Sequence, residues 1–338
     1  NITDWRKDNT YTGLAYGTYQ VAVRDSDNTS RYLTRLVTLA PPSSPSQGEL
    51  TEKQEKEIID RNQTGDVAVK GKDTTVILPK GFLKEGDSVN ALLLTAPETG
   101  FTPGTVVTVT ANGETRILPW CAVTADGRLL YLATERGAYG LTENAKAFTD
   151  TVGYWAEDDI AFTSARELFR GTTDTTFSPD RTMTRAMFVT VLGRMAGVEE
   201  TADTASRFTD VPADFWCAAY VNWAAENGII DGYADGSFRP NAPVQREQMA
   251  KILRNFAKYL GENVDAKGSL ARYTDRSSVS AWAVDPCIWA TDCGLLQGRQ
   301  DGRLDPHGQA TRAQVSAVLH RYVEHILTQR LADAETLP

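Results

Sequence analysis

One pattern stated three times constrains this chain more than anything else in it. "GTTDTTFSP" at 171–179, "GYADGSFRP" at 232–240 and "GRQDGRLDP" at 298–306 are versions of one loop. Gly171, Gly232 and Gly298 open the three copies of it, and Arg185, Arg246 and Arg312 follow at the same two intervals. So do Trp155, Trp216 and Trp282, each at one fixed distance before its arginine. Phe148-Thr149-Asp150, Phe208-Thr209-Asp210 and Tyr273-Thr274-Asp275 begin the three repeats. A fixed period of this kind marks a structural unit that is repeated and stacked on its neighbours.

Within each copy the pattern is helical. Counting from the arginine, positions +3, +6, +7 and +10 are apolar throughout: Phe188, Val191, Leu192, Met195; Met249, Ile252, Leu253, Phe256; Val315, Val318, Leu319, Tyr322. That is one buried face of an amphipathic helix. A first helix follows each Trp, with Phe162, Trp223 or Trp289 at a fixed place. Asp285-Pro286 is expected to be the N-cap and first helical residue of the third one. A two-helix unit buries little alone, so the three copies are expected to share a core.

Upstream the chain reads as β. Residues 1–40 alternate apolar and polar, with Tyr19, Val21 and Val23 on one face and "DSDN" as a turn. They are similar to the last strands of an immunoglobulin-like or fibronectin-like domain. Residues 41–64 read as a linker, of which "LTEKQEKEIIDRNQTG" is a short surface helix or more linker. Residues 65–144 are expected to form a small antiparallel β domain, with hairpin signals at Asn112-Gly113 and Asp126-Gly127. The fold class is therefore multidomain: all-β N-terminal modules, then an all-α bundle of repeats at 145–205, 206–270 and 271–332. The chain opens inside a β-like pattern, which suggests the C-terminal piece of a longer protein.

A net charge of −9 disfavours nucleic acid, which needs a basic surface. No apolar run reaches the length that predicts a membrane span. The four cysteines contain no C-x-x-C pair and read as buried free thiols. His307, His320 and His325 lack metal-ligand spacing, and "DGYADG" lacks the alternating acidic ligands of a calcium loop. No metal, cofactor or catalytic residue is assigned, and no enzyme is expected in this chain.

The repeats resemble the S-layer homology family, the wall-anchoring modules of bacterial surface proteins. The resemblance rests on "FTD", "YWA", "GTTDTTFSP" and "TRAM" in the first copy. It continues in "FTD", "FWC", "GYADGSFRP" and "QREQ", then "YTD", "AWA", "GRQDGRLDP" and "TRAQ". It covers about residues 148–327. It implies a pseudo-threefold bundle, secretion to the cell wall, and noncovalent binding of a secondary cell-wall polysaccharide, often pyruvylated, or of modified peptidoglycan. The chain is then an anchor for a larger surface protein. Alternatively its parent is a surface-lattice subunit, or an enzyme or adhesin with its working domain upstream.

The residues suit that chemistry. Gly232 and Gly236 are expected to supply backbone angles closed to other residues. Thr184 and Thr311 are natural N-caps, with Gln314 completing a capping box. They place Arg185 and Arg312, and Gln245 places Arg246, on a helix first turn where free N–H groups favour anions. A guanidinium there can hold a carboxylate through two parallel bonds. The Trp faces can cover a sugar ring, with Asp150, Asp210 or Asp275 accepting from hydroxyls. The plainer readings are a cap plus a surface charge for each arginine, a helix cap for each aspartate, core for each tryptophan, and loop geometry for Gly171, Gly232 and Gly298. The copies differ: Thr175 replaces a loop glycine, Glu167 stands where Gly228 and Gly294 do, and Gln245 is a poor cap. Arg312 is therefore expected to matter most and Arg246 to be less held. Loss of any of the three arginines is expected to leave stability nearly unchanged.

Overall fold

The computed structural model describes residues 49–199 and 206–337, together with the strands Gly17–Arg24 (β1) and Tyr32–Leu39 (β2). The chain divides into two units, Asn1–Thr51 and Glu52–Pro338. In the first, β1 and β2 pair antiparallel, with Gly17 opposite Leu39 and Arg24 opposite Tyr32. The expected "DSDN" turn and the rest of the immunoglobulin-like reading lie outside the described residues.

The second unit begins with helix α1, Glu52–Asn62. Of the two readings of this stretch, a short surface helix or more linker, the helix is the one found. Ile58 and Asn62 are buried, and the Asn62 amide is fully used. Its Nδ2 donates to the carbonyls of Leu78 and Pro79 at 3.1 and 2.9 Å, and its Oδ1 accepts from Leu83 N at 2.9 Å. Such a saturated buried amide holds a helix in one place.

Among the described residues of this unit the strands are β3 Val67–Lys70, β4 Thr74–Leu78, β5 Thr105–Ala111, β6 Glu114–Leu118, β7 Cys121–Val123, β8 Leu129–Leu132, β9 Ala138–Glu143 and β10 Glu335–Leu337. They form a sheet of order β10-β3-β4-β8-β7 and another of order β6-β5-β9. Asn112 and Gly113 turn β5 into β6 with φ of 52° and 83°, the double positive φ of a tight hairpin. Gly127, at φ 76°, helps turn β7 into β8. The expectation of a purely antiparallel domain is corrected, because β4 pairs parallel with β8 and β10 parallel with β3. Hairpin signals report only local pairing, whereas parallel pairs need long crossovers. One of these crossovers contains all the repeats.

The repeats contribute α2 Glu157–Ala165, α3 Arg185–Met195, α4 Ala218–Glu226, α5 Arg246–Tyr259, α6 Val284–Asp292 and α7 Arg312–Asp333. All twelve residues of the predicted apolar face are buried. Helix α6 starts two residues before the expected Pro286. Proline is tolerated there because a helix's first N–H groups have no intrahelical partner. The second helix of each repeat packs on the first helix of the next: α3 on α4, α5 on α6, and α7 back on α2.

Helix α7 is twice the length of α3 and carries the chain back to the sheet. Its Tyr322 ring lies 6.2 Å from Trp120 and 6.0 Å from Phe256. Near its end Arg330 Nε donates to Glu262 at 2.7 Å and Nη2 to the Leu260 carbonyl at 2.8 Å. At the other contact the buried Arg166 donates from Nε to the Cys121 carbonyl at 2.9 Å and lies 3.4 Å from the Phe162 ring centre. One apolar core thus runs from Ile77 and Leu130 in the sheet to the repeats. Cys121, Cys217 and Cys287 are buried as free thiols, and Cys293 is half-buried.

Glu167 adopts φ 55° at the turn after α2, where Gly228 and Gly294 have φ 66° and 71°. A side chain in this left-handed region is strained. Its ion pair to Lys146, at 3.9 Å, is exposed and weak. Glu167→Gly should therefore stabilise the protein by about 0.5–1 kcal/mol, read as a higher urea midpoint at unchanged slope.

Candidate functional site

The three aspartates hold the loops. Asp150 accepts from Phe177 N at 2.8 Å and Ser178 N at 2.7 Å. Asp210 does the same for Phe238 and Arg239, both at 2.8 Å, and Asp275 for Leu304 and Asp305 at 2.7 and 2.8 Å. The second residue of each pair has a left-handed φ: Ser178 59°, Arg239 58° and Asp305 57°. Each carboxylate thus clamps a strained loop residue with one oxygen and its neighbour with the other. None of the three caps a helix through its side chain.

Gly171, Gly232 and Gly298 serve a different need from the one expected. Their φ values are not positive; a Cβ on any of them would run into the ring of Phe148, Phe208 or Tyr273. Gly236 and Gly302 are the residues that supply unusual angles, at φ 79° and 77°.

The arginines overturn two expectations. Arg185, Arg246 and Arg312 are only 6, 6 and 7% exposed. Each inserts into the loop of another repeat. Arg185 Nε donates to the Phe238 carbonyl at 2.9 Å and Nη2 to that of Asp231 at 3.4 Å. Arg246 reaches Leu304 at 2.9 Å and Gln297 at 2.6 Å. Arg312 reaches back to Phe177 at 2.8 Å and Arg170 at 2.7 Å. Burial pushes Arg246 and Arg312 down to about 10, so both remain cations at neutral pH, and it pushes Arg185 downward as well.

The helix N-termini are also occupied. The Arg185, Arg246 and Arg312 N–H groups donate to the Ala242, Gly308 and Arg181 carbonyls, each at 2.9 Å. The next N–H in each helix goes to Pro240, Pro306 or Pro179. Thr184 and Thr311 accept from the third, at 3.2 and 3.3 Å. The expected free N–H anion site is thus closed at these positions. Arg246 is held as firmly as the others, because its anchor is the third loop rather than its cap.

Two of the grooves beside these loops combine residues of several repeats. One, of ≈ 780 Å³, is lined by Trp155 of the first repeat, Arg246 of the second, and the third repeat's loop, Gln314 and Arg321. The other, of ≈ 230 Å³, is lined by Trp282 of the third repeat, Arg185 of the first, and the second repeat's Asp231, Tyr233, Gln248 and Lys251. Each groove thus draws on all three repeats. Trp155, Trp216 and Trp282 are 63, 53 and 48% exposed, which excludes the core reading. Nη1 of each motif arginine has no hydrogen-bond partner among the described residues. The side edge of each guanidinium, Nε with Nη2, is spent on carbonyls, so it cannot grip a carboxylate through two bonds. The end edge remains. Sequence reading missed Lys251 and Arg321 and took Gln248 and Gln314 only as motif and capping residues; their helix positions, two, five and nine residues past the arginine, were the available signal. Among the described residues no cluster of His, Cys, Asp and Glu is arranged to hold a metal ion, and no helix is long and apolar enough to cross a membrane.

Three helix pairs, each with an exposed tryptophan and a buried arginine, make this part of the chain a tandem-repeat assembly. Residues 147–187, 207–250 and 272–316 match the S-layer homology domain, and the chain carries three tandem repeats of it. It is similar to an amylopullulanase of Thermoanaerobacterium thermosulfurigenes, 30% identical over 59% of this chain and 11% of that protein. It is also similar to a surface-layer 125 kDa protein of Lysinibacillus sphaericus, 30% identical over 47% of this chain and 13% of the relative. A cellulosome-anchoring protein of Acetivibrio thermocellus is 33% identical over 38% and 29%. The chain spans less than a third of each of these relatives. It is a secreted cell-surface protein.

Two outcomes follow from this geometry. Replacing Arg185, Arg246 or Arg312 by Ala removes charge-assisted bonds to two carbonyls and leaves a buried gap, so each should cost about 2–4 kcal/mol of stability by urea unfolding. This reverses the expectation of unchanged stability. The Asp150 carboxyl should also make stability depend on pH. Burial alone would raise its pKa, but the Phe177 and Ser178 N–H groups outweigh that and hold it below its ordinary 3.8. A depressed carboxylate stabilises the fold above its unfolded value and ceases to as pH falls through its folded value. The stability gap between Asp150→Ala and the unaltered chain should therefore narrow steadily as pH is taken below 3.8.

Proposed function

We propose that this chain anchors a bacterial surface protein to the cell wall by binding an acidic wall polysaccharide in its inter-repeat grooves, as a non-catalytic module. The observation that carries this reading is the composition of the two grooves. Each combines an exposed Trp face for a sugar ring, a buried guanidinium with a free end edge, and side-chain amides for hydroxyls. Sugars present apolar faces and rings of hydroxyls, which such a surface complements. A carboxylate on the sugar, as in a pyruvate ketal, supplies the charge that a buried arginine without a carboxylate lacks. The cycle of helix contacts supports reading the repeats as a pseudo-threefold bundle with three related grooves. The third groove would then bring together Trp216, Arg312 and the first loop. Three weak sites on one polymer act together, because later contacts are intramolecular.

The relatives include enzymes and a surface-layer protein, so an anchoring role fits more than one kind of cargo. The test should avoid the motif arginines, whose loss damages the fold. Trp155→Ala combined with Trp282→Ala removes two exposed rings and should leave thermal unfolding unchanged. Pelleting with purified walls should weaken about tenfold or more, given ~1–3 kcal/mol per stacked ring. Stripping the secondary polysaccharide from the walls should abolish pelleting of the unaltered chain. Equal pelleting with stripped walls would overturn the proposal.

A further inference from the structure

The two grooves differ in charge, and the difference specifies their ligands. The larger groove is lined by four arginines, Arg246, Arg299, Arg303 and Arg321, and two aspartates, Asp301 and Asp305. Arg299 is paired with Asp305 at 2.8 Å, and Arg303 with Asp301 at 2.8 Å. That leaves two guanidiniums without a carboxylate among the described residues. Arg246 is held by carbonyls alone. Arg321 is half-buried and donates from Nε to the Ala317 carbonyl of its own helix at 2.9 Å. The carboxylate that bears on it, Asp159, is bonded to His320 at 2.8 Å and forms no ion pair with Arg321 among the described residues.

The position of Arg321 is filled differently in the other repeats. Nine residues past the motif arginine, Arg194 Nη1 donates to the Leu168 carbonyl and Asn255 Nδ2 to that of Ile229. Both residues therefore tie their helix to the turn before the loop. Arg321 makes its bond within its own helix and lines the groove instead. The smaller groove has a different balance. Its Lys251 is paired with Asp231 at 2.9 Å and lies 5.5 Å from the Trp282 ring centre. Among the described residues, Arg185 is its one cation without a carboxylate.

We infer that the larger groove is a two-anion site, in which the end edge of Arg246 and the guanidinium of Arg321 hold two acidic groups of one glycan segment lying across Trp155, whereas the smaller groove takes one. This rests on the glycan reading and adds a charge count to it. Arg246 and Arg321 line one partly desolvated groove without an ion-pair partner among the described residues, and a dianionic segment supplies a partner to both. A single-anion segment supplies one.

Calorimetry on the whole chain tests this with two probes: a methyl glycoside carrying one pyruvate ketal, and a disaccharide carrying two. The unaltered chain should bind the two-ketal probe at one class of sites at least tenfold more tightly than the single-ketal probe. Arg321→Gln should remove about tenfold of that advantage, the loss of one charge-assisted bond, and leave single-ketal binding within twofold. Arg321→Lys should restore most of it, and Trp282→Ala, in the other groove, should leave it intact. Because the Arg321 bond lies within its own helix, the glutamine variant should melt like the parent. If the unaltered chain binds both probes equally, or Arg321→Gln binds both like the parent, the two-anion site is wrong and the anchoring reading stands. If the unaltered chain binds neither probe, the acidic-glycan reading falls and this inference with it.

Discussion

The guanidinium of each motif arginine, buried among the carbonyls of another repeat's loop, is the interaction on which the rest depends. A pair of short helices cannot bury enough apolar surface to stand alone. Arg185 secures the second loop, Arg246 the third, and Arg312 returns to the first. Inside this cycle lies a smaller one of main chain. Met183 N donates to Ala310, Ala310 N to Val244 and Val244 N to Met183, at 2.9, 3.0 and 2.9 Å. Open solenoids leave end repeats that need capping; these contacts close on themselves. The positive charges are solvated by carbonyl dipoles instead of carboxylates, which keeps each cation incompletely neutralised.

On the proposed reading, that incomplete neutralisation links fold to function. The carbonyls take the side edge of each guanidinium and leave the end edge without a protein partner among the described residues. Because each arginine crosses from one repeat to another, a groove becomes the property of all three repeats. A tryptophan comes from one, the cation from a second, and the loop with its following helix from the third. The motif arginines therefore hold the loops of neighbouring repeats, and Arg185 and Arg246 line the two grooves as well. Trp155, Trp282 and Arg321 contribute to the grooves with few ties to the core, so they can report on binding separately from folding.

The β part is joined to this assembly by side chains that cross between them. Arg166 ties the end of α2 to Cys121 in β7, and Arg330 ties α7 to Asp66, just ahead of β3, at 3.5 Å. Helix α7 then delivers β10 to the open side of β3. A strand that ends at Leu337 thus completes a sheet that Val67 begins, with every repeat lying between them in the chain.

What is periodic and local could be read from the order of the residues. The three helix pairs, their buried faces, the Asn112-Gly113 hairpin and the loops between helices were legible because spacing and turn chemistry are encoded within a few residues. The sequence also marked the positions that matter, since Arg, Asp, Trp and Gly recur in register. It did not reveal their partners. That Asp150 clamps a loop 27 residues on, that Arg312 spans 142 residues to Arg170, and that Glu52–Asn62 is anchored by Asn62 are decided by long-range contacts. Capping preferences suggested that Arg246 would be loosely held, yet tertiary carbonyls hold it as they hold the others. Tertiary structure alone decided the charge of each groove, because an arginine becomes an unpaired cation only when folding has assigned the nearby carboxylates to other partners.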